Sequence, residues 1–162
     1  MRLLLVLMLI AGSAADERDD LLQMCNGKYP AQPCPGYWYR LDGQRCMSAF
    51  RTYAPFDVAE MYCKRAGGHL VSINNLSDYN QVLCLLLRDM YRRNEYWIGA
   101  KRSQGKFSWV SGSGPLTFTK WAPGQPDNQQ QQDCVVMNYG SWGAWKNVAC
   151  SENRLIVCER RG

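Results

Sequence analysis

The chain has 162 residues, a formal net charge of +5 and eight cysteines, with 46% hydrophobic and 20% charged residues. That length sets one domain. The basic residues are scattered, so the mild positive balance gives attraction to anionic surfaces without a nucleic-acid footprint. His69 is the only histidine and no Cys-x-x-Cys pair occurs, which excludes a zinc site of ordinary spacing.

In chain order, Met1-Arg2 precedes an apolar run from Leu3 to Ile10 and the small residues Gly12-Ser13-Ala14-Ala15. This pattern predicts a secretory signal over 1–15, removed after Ala15. The run falls well short of the roughly 20 residues that span a bilayer, and no later stretch is long and apolar enough either. The product is expected to be secreted and extracellular. All eight cysteines then lie in 16–162, and an even number in a secreted domain reads as a disulfide framework.

Residues 16–33 are polar and turn-rich and carry Cys25. They read as an N-terminal extension tied down by a disulfide rather than a packed element. The domain proper is 34–162. Tyr37 to Leu41 and Arg45 to Phe50 flank the turn Asp42-Gly43 and predict a hairpin, with Cys34 and Cys46 near enough in sequence to staple it. Pro55 opens a helix that runs to about Ala66 and stops at Gly67-Gly68. Ala59, Tyr62, Cys63 and Ala66 share one face, so Cys63 is expected to point inward. His69 to Ile73 alternates as a strand does. Ser77 is expected to cap a second helix, about Asp78 to Arg92, with Tyr79, Val82, Leu83, Leu86 and Met90 on its apolar face. Cys84 lies off that face, on a stripe with Asn80, Arg88 and Tyr91, placed to bridge to something outside the core. Asn75-Leu76-Ser77 is an acceptor sequon for N-glycosylation at Asn75.

Strands follow over Tyr96 to Ala100 and Phe107 to Val110, joined at Gln104-Gly105 and broken after by Gly112 to Pro115. A long polar segment enters at Trp121 and contains Gln125-Pro126-Asp127 and a glutamine run at 129–132, read as a solvated tip. Val135 to Tyr139, the surroundings of Trp145, and Leu155 to Glu159 read as further strands. Two helices followed by many short strands, without βαβ alternation, indicate an α+β fold.

The motifs Cys34-Pro35, Ala59-Glu60-Met61-Tyr62-Cys63, Gly68-His69-Leu70-Val71-Ser72-Ile73, Trp97-Ile98-Gly99, Gln125-Pro126-Asp127, Asp133-Cys134, Trp145 and the Cys150/Cys158 pair together resemble the C-type lectin-like domain family. The resemblance covers about residue 34 to the end. It implies two helices packed on small antiparallel sheets with a long surface loop, and disulfides Cys34–Cys46, Cys63–Cys158 and Cys134–Cys150. Cys25 and Cys84 remain. They either pair with each other, which leaves no free thiol and is the reading adopted, or link two chains into a homo-oligomer.

The resemblance further implies a carbohydrate site in the long loop, where calcium is the family's cofactor and Gln-Pro-Asp is the form associated with galactose-type ligands. Carried across, the carbohydrate-binding positions are Gln125, Asp127, Gln132, Asn147 and Trp142, and Gln125 and Asp127 are the candidate metal ligands. Calcium wants about six to eight oxygens, several of them charged. Gln132 stands where a glutamate is usual, and Lys146-Asn147 stands where the family has Asn-Asp. A lysine has no acceptor to offer, and its charge repels a dication by several kcal/mol even at an effective dielectric of ~20. The donor set therefore argues against calcium, and Lys146 paired with Asp127 is one way the loop would hold without it. Tyr139 and Trp142 serve either as a stacking surface for a sugar or as loop packing. Trp97, Trp109, Trp121 and Trp145 are read as structural, and so is His69.

Two functions stay in view: a lectin for galactose-type glycans or glycoproteins, and a calcium-independent binder of protein, mineral or ice surfaces on the same scaffold. Basic residues 88, 92, 93, 101, 102 and 106 suggest an anion-facing patch for the second, against the plainer reading of a solvated basic face. No nucleophile, base or paired-carboxylate arrangement supports an enzyme.

Overall fold

The structure is a computed structural model that describes residues 14–162, so the leader expected over 1–15 lies almost entirely outside the described residues. Its elements are α1 (Ala14–Lys28), β1 (Pro33–Cys34), β2 (Trp38–Arg40), β3 (Arg45–Ala54), α2 (Phe56–Arg65), β4 (Gly68–Leu70), α3 (Leu76–Asp89), β5 (Tyr96–Ser103), β6 (Lys106–Trp109), β7 (Gly114–Pro115), β8 (Cys134–Met137), β9 (Trp145–Val148) and β10 (Arg154–Arg161). The expected α+β class holds. No helix among the described residues is long and apolar enough to cross a membrane.

Strand β10 is the hub. It pairs antiparallel with β3 and β4 and parallel with β5. The β5 edge continues through β6 to β7, while β8 pairs with β5 on one side and β9 on the other. Two apolar clusters fill the interior. The larger one gathers Val82, Leu86, Trp109, Trp142 and Trp145, and the smaller one gathers Phe56, Ala59, Leu70, Trp97 and Ile156. Two glycines permit the close strand contacts. A Cβ on Gly68 would stand 1.7 Å from the Glu159 carbonyl oxygen, and one on Gly99 would stand 2.6 Å from that of Leu70. At both positions only a hydrogen fits.

The disulfides are Cys34–Cys46, Cys63–Cys158 and Cys134–Cys150, as the resemblance implied, together with Cys25–Cys84 within the chain. Among the described residues no cysteine is free.

The N-terminal segment departs from expectation. Residues 16–33 are not merely an extension, because most of that stretch is the helix α1, a third helix where two were expected. Acidic Asp16 and Glu17 sit in its first turn and Lys28 in its last, as the helix dipole favours. Leu21, Leu22 and Met24 pack on the larger cluster and Cys25 is fully buried. Helix α1 and the residues after it pack on the stripe of α3 that carries Asn80, Cys84 and Arg88, with Tyr91 just beyond the helix end. Arg18 donates to the Leu87 carbonyl at 2.7 Å and lies 4.8 Å over the Tyr91 ring, and Asn80 donates to the Tyr29 hydroxyl at 3.0 Å. Cys84 is therefore off the expected apolar face yet completely buried, since α1 extends the larger cluster over it.

Other boundaries shift for local reasons. Asn75, not Ser77, caps α3, its side-chain oxygen accepting from the Asp78 amide at 2.8 Å. The same helix ends at Asp89 rather than Arg92, where Met90 turns extended. Only Gly68 to Leu70 of the expected strand pairs in the sheet. At Val71 the chain passes between two strands, its amide donating to the Val157 carbonyl of β10 at 3.0 Å and its carbonyl accepting from Gly99 of β5 at 2.8 Å.

A buried charge cluster ties the layers together. The Arg45 guanidinium, on β3, meets Asp42 at 2.7 Å, Asp78 at 2.8 Å and Glu159 at 2.9 Å, and also donates to the Ser72 carbonyl and hydroxyl. Burial alone lowers the Arg45 pKa, but the facing Glu159 and the other carboxylates outweigh it and the net shift is upward. Burial alone raises the Asp42 carboxyl. Hydrogen bonds from the Gln44 and Arg45 amides and the Arg45 guanidinium overcome that and hold it below its ordinary value.

Two predictions follow from these contacts. Arg45→Met strands three carboxylates and should cost about 3–5 kcal/mol in urea unfolding. Because the Asp42 pKa is lower folded than unfolded, its stabilisation is full above the ordinary carboxylate pKa and fades as pH falls through the depressed one. Urea midpoints should hold from neutrality to about pH 4, fall below it, and fall less steeply in Asp42→Asn. Replacing both Cys25 and Cys84 by alanine opens a link spanning 59 residues and should cost about 2–4 kcal/mol, with proteolysis beginning in α1.

Candidate functional site

The long loop is anchored at its base before it becomes polar. Trp121 forms an isolated bridge with Trp145, and the Ala122 amide donates to the Trp145 carbonyl at 2.8 Å. Their rings meet edge to face at 5.9 Å, with Trp109 and Phe118 against the other sides of Trp145. This aromatic wedge is what the apolar residues around a polar insertion are for: it gives an unburiable segment a rigid floor. The Cys134–Cys150 disulfide closes the far end. The Gln125–Pro126 peptide is cis.

Within the loop, the positions carried over from the sequence come together, but as a hydrogen-bonded plug. The Asn147 side chain, fully buried on β9, accepts from the Asp127 amide at 2.7 Å and donates to the Asp127 and Gln132 carbonyls at 2.7 Å each. From the opposite wall, Arg102 on β5 reaches into the same turn. It pairs with Asp133 at 3.0 Å and donates to the carbonyls of Asp127, Gln129 and Gln132 at 3.2, 2.9 and 3.2 Å. Its guanidinium also lies 5.3 Å over the Phe107 ring. One asparagine and one arginine thus satisfy the inward carbonyls of the whole turn.

Sequence reading placed Arg102 in a basic patch, and the structure corrects this. Arg88 likewise faces inward, donating to the Tyr29 carbonyl at 2.8 Å, and Lys101 pairs with Asp57 at 3.3 Å. The six basic residues do not form one anion-facing patch. Nothing in the sequence alone distinguishes Arg102 from its neighbours, because its partners lie 25 to 31 residues away across a strand pairing.

Lys146 also differs from expectation. It does not pair with Asp127 and instead lies 4.4 Å over the Tyr139 ring, a cation–π contact. Trp142 is buried in the larger cluster, so of its two readings the packing one describes its surroundings. His69 meets Glu60 at 3.0 Å, and Glu60 also takes the Leu70 amide, a structural clasp.

The donor set does not fit calcium. Asn147 has its oxygen on an amide, Asp133 has an oxygen on Arg102, and Asp127 Oδ1 accepts from the Gln129 amide at 2.6 Å. Among the described residues no group of three or more His, Cys, Asp or Glu side chains lies together in metal-holding geometry. Two neutral oxygens nearby, Gln125 Oε1 and Gln132 Oε1, are each buried and without a hydrogen-bond partner. Gln132 is fixed by its own amide nitrogen, which donates to Gln129 at 3.0 Å. A dication needs about six to eight oxygens with several charges. Two amide oxygens need only two O–H or N–H donors.

Comparison with known proteins gives a consistent picture. Residues 52–160 match the family described as Lectin C-type domain. An alpha-N-acetylgalactosamine-specific lectin of Patiria pectinifera is 33% identical over 165 residues, 96% of this chain and 94% of that one. The human C-type lectin domain family 17, member A is 31% identical over 130 residues, and this chain spans only 32% of its length. A solved calcium-independent type II antifreeze protein superposes with a TM-score of 0.66 at 28% identity, covering 80% of this chain and 95% of that one.

The clamp generates its own test. Arg102→Ala removes a charged donor from three carbonyls, each such bond worth about 1.5–3 kcal/mol. Hydrogen exchange should show faster amides across residues 123–133 and unchanged protection in β10. Asn147→Asp exchanges a two-carbonyl donor for a carboxylate and should loosen the same segment at least as much. Protection in the loop equal to that of the parent chain would mean the loop is held by something else.

Proposed function

The chain belongs to the lectin C-type domain family, a binding fold rather than an enzyme, and from that membership we propose that it is a secreted, calcium-independent lectin for galactose-type glycans. The ligand enters at the long loop. The observation that carries this reading is the Gln125-Pro126-Asp127 turn, held in one shape from two sides by Arg102 and Asn147, with the Gln125 and Gln132 amide oxygens left unpartnered. An acceptor without a donor costs about 1–3 kcal/mol, and sugar hydroxyls are donors that relieve it once these two side chains turn to the surface. Asp127, whose Oδ1 already serves the turn, presents its second oxygen to a third hydroxyl.

The division of labour is simple. Arg102 and Asn147 hold the loop in one shape before the ligand arrives, so little ordering entropy is lost on binding. Gln125 and Gln132 accept hydrogen bonds and Asp127 adds a charge-assisted one. The relative named for alpha-N-acetylgalactosamine and the Gln-Pro-Asp form of the loop support a galactose-type preference. Four disulfides support an extracellular setting. The exposed Asn75 is the proposed glycosylation site: its side-chain oxygen caps α3 while its nitrogen carries no contact in the cap, so a glycan there leaves the helix start intact.

The competing reading is a calcium-independent binder of protein, mineral or ice on the same scaffold, which the similarity to the antifreeze protein supports. A galactose matrix separates the two. The chain should be retained equally with calcium and with chelator, and eluted by free galactose. Gln125→Leu with Gln132→Leu should abolish retention while leaving the unfolding midpoint at least as high, since two unsatisfied acceptors are removed. Retention lost on chelation would refute calcium independence. No retention in either buffer would favour the surface binder.

A further inference from the structure

A cleft of about 290 Å³ lies between α3 and the β2–β3 hairpin, and it shares no residue with the long loop. Its floor includes Met47, Ala49 and Leu85. Its rim carries three guanidiniums, Arg40, Arg51 and Arg88, against a single carboxylate, Asp89. That carboxylate is already engaged, pairing with Arg51 at 3.4 Å and accepting from the Tyr96 hydroxyl. Arg40 donates to a backbone oxygen of Gly162 at 2.9 Å. Arg88 has only neutral acceptors, the Tyr29 carbonyl at 2.8 Å and the Asn26 side chain at 3.4 Å.

Arg88 is the informative member. Burial pushes its guanidinium below the ordinary value, and only the facing Tyr39 acts in the other direction. A cation partly removed from water and matched only by neutral oxygens is uncompensated, and an anion beside it regains the missing interaction. A half-enclosed apolar floor with a few convergent polar groups at its edge is the ordinary form of a small-molecule site, and its size sits at the lower end of the range for one.

We propose that this cleft, where three arginines ring the apolar surface of Met47, Ala49 and Leu85, is a second binding site that takes a small amphipathic anion. The ligand has a compact aromatic or medium-chain apolar body and a carboxylate, sulfate or sulfonate head. The body lies on the floor and the head meets Arg88 and Arg51, whose exposed side chain exchanges its contacts with the Asp89 carboxylate and carbonyl for the ligand. The segment after α1 contributes Ala31 to the lining, and its Tyr29 carbonyl holds Arg88 in place.

The test is a fluorescence titration of the full chain with 1-anilinonaphthalene-8-sulfonate, an aromatic body with a sulfonate head. Saturable enhancement at one site per chain is expected, with the neutral analogue N-phenyl-1-naphthylamine about tenfold weaker. Laurate should displace the sulfonate probe. Arg51→Glu is an exposed change and should weaken binding about tenfold or more, and Leu85→Trp should fill the cleft and remove it. Near-UV circular dichroism of both variants reports whether the fold is kept. If Leu85→Trp is misfolded, Arg51→Glu alone decides. Equal affinity for the neutral and anionic probes, unsaturable enhancement, or a well-folded Arg51→Glu chain that binds as the parent does would overturn the proposal.

Discussion

Arg45 is the joint on which the rest of the domain turns. It begins β3, and its guanidinium collects a carboxylate from the hairpin turn, one from the start of α3 and one from β10. Three carboxylates around one cation leave an excess of negative charge in a nearly dry place, which stands only because backbone amides supply the remaining donors. Ser72 and Asn74 donate to Glu159 and Asp78, and Gln44 and Arg45 donate to Asp42. Such a cluster specifies geometry more than it adds stability. It fixes where α3 begins relative to the sheet, and through β10 it fixes β5, from which Arg102 reaches the loop.

The loop repeats the same device at the surface. A long polar segment has too many carbonyls to leave unpaired and too little apolar area to bury. One solution is an ion that gathers oxygens. This chain uses a guanidinium and a carboxamide, whose donors point at carbonyls from two sides. The exchange has a chemical consequence. An ion gathers oxygens and keeps open coordination positions, whereas the plug directs its donors onto the loop's own carbonyls. Lys146 makes the exchange hard to reverse, since its ammonium sits over Tyr139 beside the loop.

Much of this was legible from residues alone. The inward Cys63, the hairpin at Asp42-Gly43 and the strand containing Trp97 follow from periodicity and turn chemistry, and the structural role of the tryptophans follows from the family resemblance. The mismatch of Lys146-Asn147 with calcium was legible as well, because lysine lacks an acceptor wherever it points. Other features were not. Helix α1 was hidden because its apolar stripe is narrow and has meaning only against the outer face of α3. The stripe of Asn80, Cys84, Arg88 and Tyr91 hinted that something docked there without saying that it was helical. The Ser77 cap failed by two residues because both Asn75 and Ser77 are good caps, and the geometry of Asp78 towards Arg45 selects the earlier one.

The sequence by itself determined the fold class and the inward cysteine on α2, and through the family resemblance it set Lys146-Asn147 against a calcium site in the loop. These depend on the chemical kind of a residue and its spacing along one element, and both are local. Only the tertiary structure decided that Arg102 clamps the loop, that Lys146 covers a tyrosine rather than pairing with Asp127, and that Gln125 and Gln132 are left with buried oxygens and no donor. Those outcomes depend on which side chains meet across strands 20 or more residues apart, where several arrangements satisfy the same local rules and packing selects one.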